Sequence, residues 1–571
     1  MKFNYYILAG AFFFTTSIKA QEQSKDTTHI RTVVVEQEYN PTLMDASKVN
    51  VLPPVEEPKV TKKEVVYDTK FSPSYMFPKT SIEPFMGTET LKKANPGYIR
   101  FGYGNYGNID SRLNYLFSIS PRDQLNVDFS LMGMNGELEL FNGKKWDARY
   151  YKTNAGINYQ HQFSGANLNL GGNFGLSNFN FHNDILMGIH YDPTEPPIID
   201  PKTSIDKQKF TDASFLVGVE TTNSDLPLQA DVNMSFNHYS RQNDWLDRTA
   251  TKENIEANKE SKLQTAADVF APINDESRIG VFFTMNNFFY SSDSIENYTT
   301  TDFNPYYEYQ DDHWKMRLGA HVDLAFNFGK SVNVAPDVDI AYLFSDSYML
   351  YVTATGGRQV NDFRRMETLN PYALLSRRLE DTYEQVNASI GFKASPTAGL
   401  WINLFGGYQN LKKDVFQHNE SQVPVTDVNS LYLWEDLDQT NSNNVFAGAT
   451  FSYSYKNLVD LTLSGIYRNW SVDNDLALLM KPLFDLDFRT VFRPISPLDI
   501  ELGYRYIHRT ESNLMKRFDP VSNLHAEVTY RLYKGASIYV KADNILNQDY
   551  QYFYSYPTEG INFIGGVKFL F

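Results

Sequence analysis

The chain closes on Ile561-Asn-Phe-Ile-Gly-Gly-Val-Lys-Phe-Leu-Phe571. Counted back in twos, one face of an extended strand carries Phe571, Phe569, Val567, Gly565, Phe563 and Ile561. The other carries Leu570, Lys568, Gly566, Ile564 and Asn562. Successive side chains of a strand point to opposite faces, and the stretch has about the length of a tilted membrane-crossing strand. An apolar face backed by a mixed, charged one suits lipid on one side and a wet lumen on the other. A strand with one face on a soluble core alternates in the same way, so this stretch alone leaves both readings open.

The start of the chain narrows the choice. Lys2, a mostly apolar Tyr6–Phe14 run and small or polar residues up to Ala20 read as a cleaved secretory signal over residues 1–20. The sequence has no cysteine, which removes disulfides, thiolate metal sites, a thiol nucleophile and an acylated N-terminal cysteine. No later stretch approaches the ~18 uninterrupted apolar residues of a membrane helix. An exported chain without such a helix is either secreted or a membrane barrel. The 38 Tyr and 41 Phe among 571 residues favour the barrel, because aromatic rings sit well at both membrane–water boundaries. A net charge of −16 argues against nucleic acid as a partner and fits solvated acidic loops.

Residues 21–95 differ from everything after them. They are rich in Lys, Glu and Thr, and Pro41, Pro53, Pro54, Pro58, Pro73, Pro78 and Pro84 interrupt any regular element. This composition predicts an extended periplasmic segment or a small lumen-filling element. Within it the β-branched run Thr32-Val33-Val34-Val35-Glu36 could add as one strand to a partner's exposed edge.

From residue 96 onward one unit repeats: an alternating run, a turn, a second alternating run and a longer polar loop. Ala230, Val232, Met234 and Phe236 share one face, with Asp231, Asn233 and Ser235 on the other. Leu498, Ile500 and Leu502 oppose Asp499 and Glu501, while Leu524, Ala526 and Val528 oppose His525 and Glu527. Short turns fall at 120–123, 164–167, 224–227, 274–276, 345–346, 395–397, 455–457, 494–497 and 533–535. Long loops fall at about 184–207, 241–257, 359–382 and 411–443. Short turns on one side and long loops on the other are the pattern of outer-membrane barrels, and both termini then lie on the short-turn side, which requires an even strand number. A direct count gives twenty-one strands, with a parity clash between Tyr290 and Trp314. A weak inward strand over Thr299–Tyr309, turning at Asp311-Asp312, removes the clash. The expected fold is therefore all-β: a transmembrane antiparallel β-barrel of about 22 strands spanning residues 96–571, lying in outer-membrane lipid. A barrel this wide needs something to fill its lumen.

Val540-Lys-Ala-Asp-Asn-Ile-Leu-Asn-Gln-Asp-Tyr550, a loop and then the Phe-ending strand resemble the end of TonB-dependent outer-membrane receptors. Val334-Ala-Pro-Asp-Val-Asp-Ile-Ala-Tyr-Leu-Phe-Ser-Asp346 resembles that family's proline-containing inward strand and turn. The resemblance covers about residues 97–571. It implies that Phe563, Val567, Phe569 and Phe571 form the closing signal read by the insertion machinery. It also implies that Thr32–Glu36, similar to a TonB box, is gripped by a periplasmic TonB-type protein. Receptors of this family carry a globular plug, and residues 21–95 are too short and too proline-broken to be one, so a separate plug or lipoprotein partner becomes an expectation.

Catalysis finds little support. The ten histidines are scattered, none in an H-x-x-x-H or H-E-x-x-H arrangement, so no catalytic residue, metal ligand or cofactor is assigned. Asp311-Asp312-His313 reads as a solvated turn. Asp184, Asp192 and Asp200, or Glu435, Asp436 and Asp438, match no defined calcium loop. Asn304-Pro-Tyr-Tyr-Glu-Tyr309 and Leu431-Tyr-Leu-Trp434 hold aromatics that either stack on a ligand or belong to the interfacial girdle. Two functions follow: uptake of a ligand across the outer membrane, or a plug-less scaffold barrel that holds partner proteins.

Overall fold

The computed structural model describes residues 96–571 apart from 141–142, 144, 182–188, 191–197, 200–206, 224–225, 243–258, 292–294, 374–377, 421–433, 510–518 and 554–555. The expected signal, the segment up to residue 95 with Thr32–Glu36, and Asp184, Asp192 and Asp200 lie outside the described residues.

Twenty-two strands form one closed antiparallel sheet. The first half comprises β1 (Gly97–Gly104), β2 (Ile109–Ser120), β3 (Asp123–Glu139), β4 (Lys145–Gln162), β5 (Ala166–Asn180), β6 (Lys207–Thr221), β7 (Gln229–Arg241), β8 (Lys259–Asn274), β9 (Ser277–Tyr290), β10 (Tyr298–Gln310) and β11 (Trp314–Phe326). The second half comprises β12 (Val332–Ser345), β13 (Tyr348–Gln359), β14 (Thr382–Thr397), β15 (Leu400–Glu420), β16 (Trp434–Tyr455), β17 (Val459–Val472), β18 (Pro482–Ile495), β19 (Leu498–Arg509), β20 (Val521–Tyr533), β21 (Ala536–Asp543) and β22 (Asn562–Leu570). Each strand pairs with its sequence neighbours, and β22 returns to β1 with Tyr98 opposite Leu570 and Phe101 opposite Val567. Closure of this kind leaves no unpaired edge, as a bilayer requires.

The alternation read from the sequence is realised in the wall. Val232, Met234 and Phe236 of β7 point outward and are exposed, as are Val528, Tyr530 and Leu532 of β20. Without water at its flanks, a wall tolerates polar side chains only where they face the lumen. The strand supplied by parity is present as β10, turning into β11 at residues 311–313. Its polar Thr299–Thr301 start hid it from a hydrophobic count.

Two boundaries differ from the sequence reading. The expected loop 411–443 is mostly strand, since β15 runs to Glu420 and β16 starts at Trp434. Strand that projects beyond lipid needs no apolar face, so its alternation vanishes. A register shift between Leu411 and Asp414, with Lys413 at φ 53°, marks this extension. The turn expected at 395–397 sits instead at Ala398-Gly399, where Gly399 adopts φ 81° and an added Cβ would meet the Ser454 carbonyl at 2.1 Å.

The Asn544-x-x-Asn547-x-x-Tyr550 element is a turn built on asparagine. Asn544 and Asn547 both take φ 49°, a left-handed conformation that asparagine tolerates better than most residues. The Asn544 side chain donates to the carbonyls of Gln548 (2.9 Å) and Glu559 (2.8 Å), and Asn547 accepts from the Ile561 amide at 3.1 Å. These bonds fix where β22 begins.

Candidate functional site

The 22 residues between β13 and β14 do not stay over their own hairpin. Among their described residues is one helical stretch, α1 (Phe363–Leu369), whose N-cap Asp362 accepts from the Arg365 amide at 2.9 Å. Phe363 and Met366, three apart and therefore on one face, are buried. The polar side chains of α1 reach the lumenal wall. Arg364 donates through Nε to Asp212 of β6 at 2.9 Å and through Nη1 to Asn237 of β7 at 3.1 Å. Tyr239 donates to Glu367 at 2.8 Å, and Lys262 of β8 pairs with Asp362 at 2.7 Å. Glu260 accepts from the Phe363 amide at 3.3 Å, and Arg241 donates to the Ala373 carbonyl at 2.9 Å.

Beyond α1 the loop meets two further parts of the rim. Gln417 of β15 donates to the Leu369 carbonyl at 2.9 Å. Tyr372 stacks on Tyr556 with ring centroids 3.5 Å apart, and packs edge-on against Phe179 at 4.9 Å and Trp146 at 6.4 Å. Tyr556 belongs to the connection between β21 and β22, while Trp146 and Phe179 belong to β4 and β5. In strand order these are eight or nine strands away from β13, in a barrel of twenty-two. The loop therefore spans the long-loop mouth, and its aromatic contacts form a small core there with Leu138, Phe181 and Phe210. The return is fastened by Asp381, which accepts from the Asn361 amide at 2.9 Å and from Tyr298 at 3.2 Å. Burial raises the Asp381 carboxyl above its ordinary range, opposed by the Asn361 amide and Arg358.

Below this closure the lumenal wall is charged. Arg317 bridges Asp337 (2.8 Å) and Glu308 (2.6 Å), and Arg278 also pairs with Glu308. His321 pairs with Asp302 at 2.8 Å, and Arg358 approaches Asp323 at 3.7 Å. At the β1–β22 seam, Arg100 lies between Asp110 (2.8 Å) and Glu527 (3.1 Å), with Lys568 also on Glu527. Opposite charges that satisfy one another give the lumenal wall a polar surface of fixed geometry. Among the described residues, no three His, Asp or Glu side chains gather to hold a metal ion.

The residues singled out in sequence fall as follows. Phe563, Val567, Phe569 and Phe571 all face outward and are exposed. Gly97 and Phe571 exchange backbone hydrogen bonds of 2.8 and 3.1 Å, and the Phe571 ring stacks on Tyr115 at 5.6 Å. Asp311 caps its turn, accepting from the His313 amide at 2.7 Å and the Trp314 amide at 2.5 Å. The aromatics of 304–309 are not at a loop, because they lie within β10. Tyr306 is buried in the lumen, donates to Asp268 at 2.8 Å and carries Arg317 over its ring at 3.9 Å. Leu431, Tyr432 and Leu433 lie outside the described residues, and Trp434 begins β16. Arg364 and Tyr372, which fasten the mouth, carried no sequence signal beyond their place in a long loop.

No protein-family description matches the sequence, and no curated protein matches it. Solved structures do. The FrpB iron transporter from Neisseria meningitidis superposes with a TM-score of 0.61 at 12% identity, covering 84% of this chain and 82% of that one. The siderophore receptor PirA from Acinetobacter baumannii gives 0.61 at 12% identity, with 85% and 81% covered. The copper transporter OprC gives 0.57 at 11%, with 84% and 82% covered. At these identities the likeness is one of fold. The chain has the twenty-two-stranded barrel of TonB-dependent receptors, as its closing residues implied.

Proposed function

We propose that this chain is an outer-membrane barrel of the TonB-dependent-receptor type that takes up a ligand, with its long-loop mouth facing outward and shut by the described residues of the β13–β14 connection. The observation that carries the reading is the fastening of that one loop to β6, to β15 and to the β21–β22 connection, far around the rim from its own hairpin and above a charged lumen. Fold neighbours described as an iron transporter, a siderophore receptor and a copper transporter support a transport role. The same proposal takes residues 1–20 as the export signal and 21–95 as a periplasmic segment. β1 begins at Gly97 on the short-turn rim, so Thr32–Glu36 would be offered to a TonB-type protein on that side. Binding there would be by strand addition.

Planar-bilayer recording tests the closure. The intact protein should conduct little, and an Arg364→Ala/Tyr372→Ala variant should conduct several-fold more. Equal, free conductance of both forms would overturn the closure. Val34→Pro removes a backbone donor from the box-like stretch and should abolish uptake-dependent growth without changing barrel abundance. Unchanged growth on every scarce nutrient tried, together with co-purifying fixed partners, would make the chain a scaffold.

A further inference from the structure

The loop over the mouth ends in an arginine whose surroundings differ from those of its neighbours. Arg364 has Asp212, and Arg358 has Asp323 and Asp381. Among the described residues Arg378 has no carboxylate within ion-pair distance. Its guanidinium lies 3.5 Å from the ring centre of Phe328, 4.6 Å from Tyr298 and 5.4 Å from Tyr290. Tyr290 and Tyr298 lie nearly parallel, 8° apart, and Phe328 stands edge-on to Tyr298 at 75°. Nη1 donates to the Glu296 carbonyl at 2.9 Å, while Nη2 is buried without a hydrogen-bond partner. The Tyr298 hydroxyl donates to Asp381, which pushes electron density into that ring. Three ring faces, one carbonyl and a carboxylate behind a phenol make a box for a cation.

We propose that the Tyr290–Tyr298–Phe328 cage is a binding subsite for a guanidinium or ammonium group of an external ligand, and that Arg378 fills it while the mouth is closed. All three rings lie at the long-loop rim, at the end of β9, the start of β10 and the β10-side turn of β11–β12. An incoming cation that displaces Arg378 breaks no ion pair, so the exchange is nearly balanced and frees the loop just before its Asp381 fastening. The cage stands on its own ring geometry, while its filling by Arg378 in the closed mouth rests on the closure proposed above.

Methylguanidinium and its neutral match methylurea provide the test, titrated into the full-length protein in detergent. Arg378→Ala should bind methylguanidinium about tenfold more tightly than the intact protein, because a tethered competitor of roughly millimolar effective concentration is gone from a cage that holds such a cation with a Kd of about 0.1 mM. Adding Phe328→Leu should erase that gain, and methylurea should bind none of the three forms. In the intact protein, saturating methylguanidinium should also speed amide exchange across residues 363–369, which methylurea should not do. Heat-modifiable gel migration confirms that each barrel is folded. Equal affinity of intact and Arg378→Ala protein, retention of binding by the double variant, or unchanged exchange in the intact protein would each overturn the assignment.

Discussion

Glu559 shows how much a single side chain can hold at the barrel's seam. Its carboxylate accepts from Asn108 at 3.1 Å and from Asn562, joining the β1–β2 turn to the start of β22. Asn105 reinforces the joint by donating to the Ile561 carbonyl and accepting from the Phe563 amide, both at 2.8 Å. Burial pushes the Glu559 carboxyl from 4.5 up to about 7, with Asp543 adding to the rise and the two asparagine donors opposing it. The folded chain thus binds this proton more tightly than the unfolded one, so the stabilisation is fully present below 4.5 and is lost as pH rises through about 7. Amide exchange around residues 559–563 should be slower at acidic than at alkaline pH, and Glu559→Gln should flatten the difference. Arg100 sets a second test. It is almost fully buried between Asp110 and Glu527 and lies 3.9 Å over the Tyr539 ring. Arg100→Met strands carboxylates in the wall and should cost on the order of 3 kcal/mol in urea unfolding. Neither residue could be ranked from sequence, because each has one partner over 400 positions away, Glu527 for Arg100 and Asn108 for Glu559.

The element on which the proposed function turns is the loop with α1. Seven residues are too few for a helix to persist alone, so α1 exists because its cap and its wall contacts hold it. Asp362 does both, capping Arg365 and pairing with Lys262. Asp362→Ala should cost about 1 kcal/mol of local stability through the lost cap alone, read as faster amide exchange over 363–369 with the barrel's own unfolding unchanged. The sequence marked 359–382 as a long loop and stopped there. Its polar residues looked solvated, and nothing local distinguishes a loop that waves in water from one whose arginine finds Asp212, 152 positions earlier. The weak strand β10 was different, since the two-sided geometry of a barrel demanded it even where its own composition did not.

At the scale of the whole molecule, the wall sorts side chains by which solvent they meet. Met234 of β7 is half exposed on the outer face, while its neighbour Ser235 faces the lumen near Gln264. Met234→Arg should cost roughly 2–4 kcal/mol in refolding into lipid vesicles. Ser235→Arg, one residue away, should fold with nearly native stability, because the lumen offers water and charge partners. Equal penalties for the two would contradict the assigned faces. This period-two pattern is local, repeating and imposed by lipid on every strand. The sequence by itself therefore determined the barrel, its strand number, its closing strand and the sidedness of its loops. What shuts the mouth was decided only by the tertiary structure. That closure is a set of single contacts, Arg364 to Asp212 and Tyr372 to Tyr556 among them, between residues that closing the barrel brings within reach across its mouth.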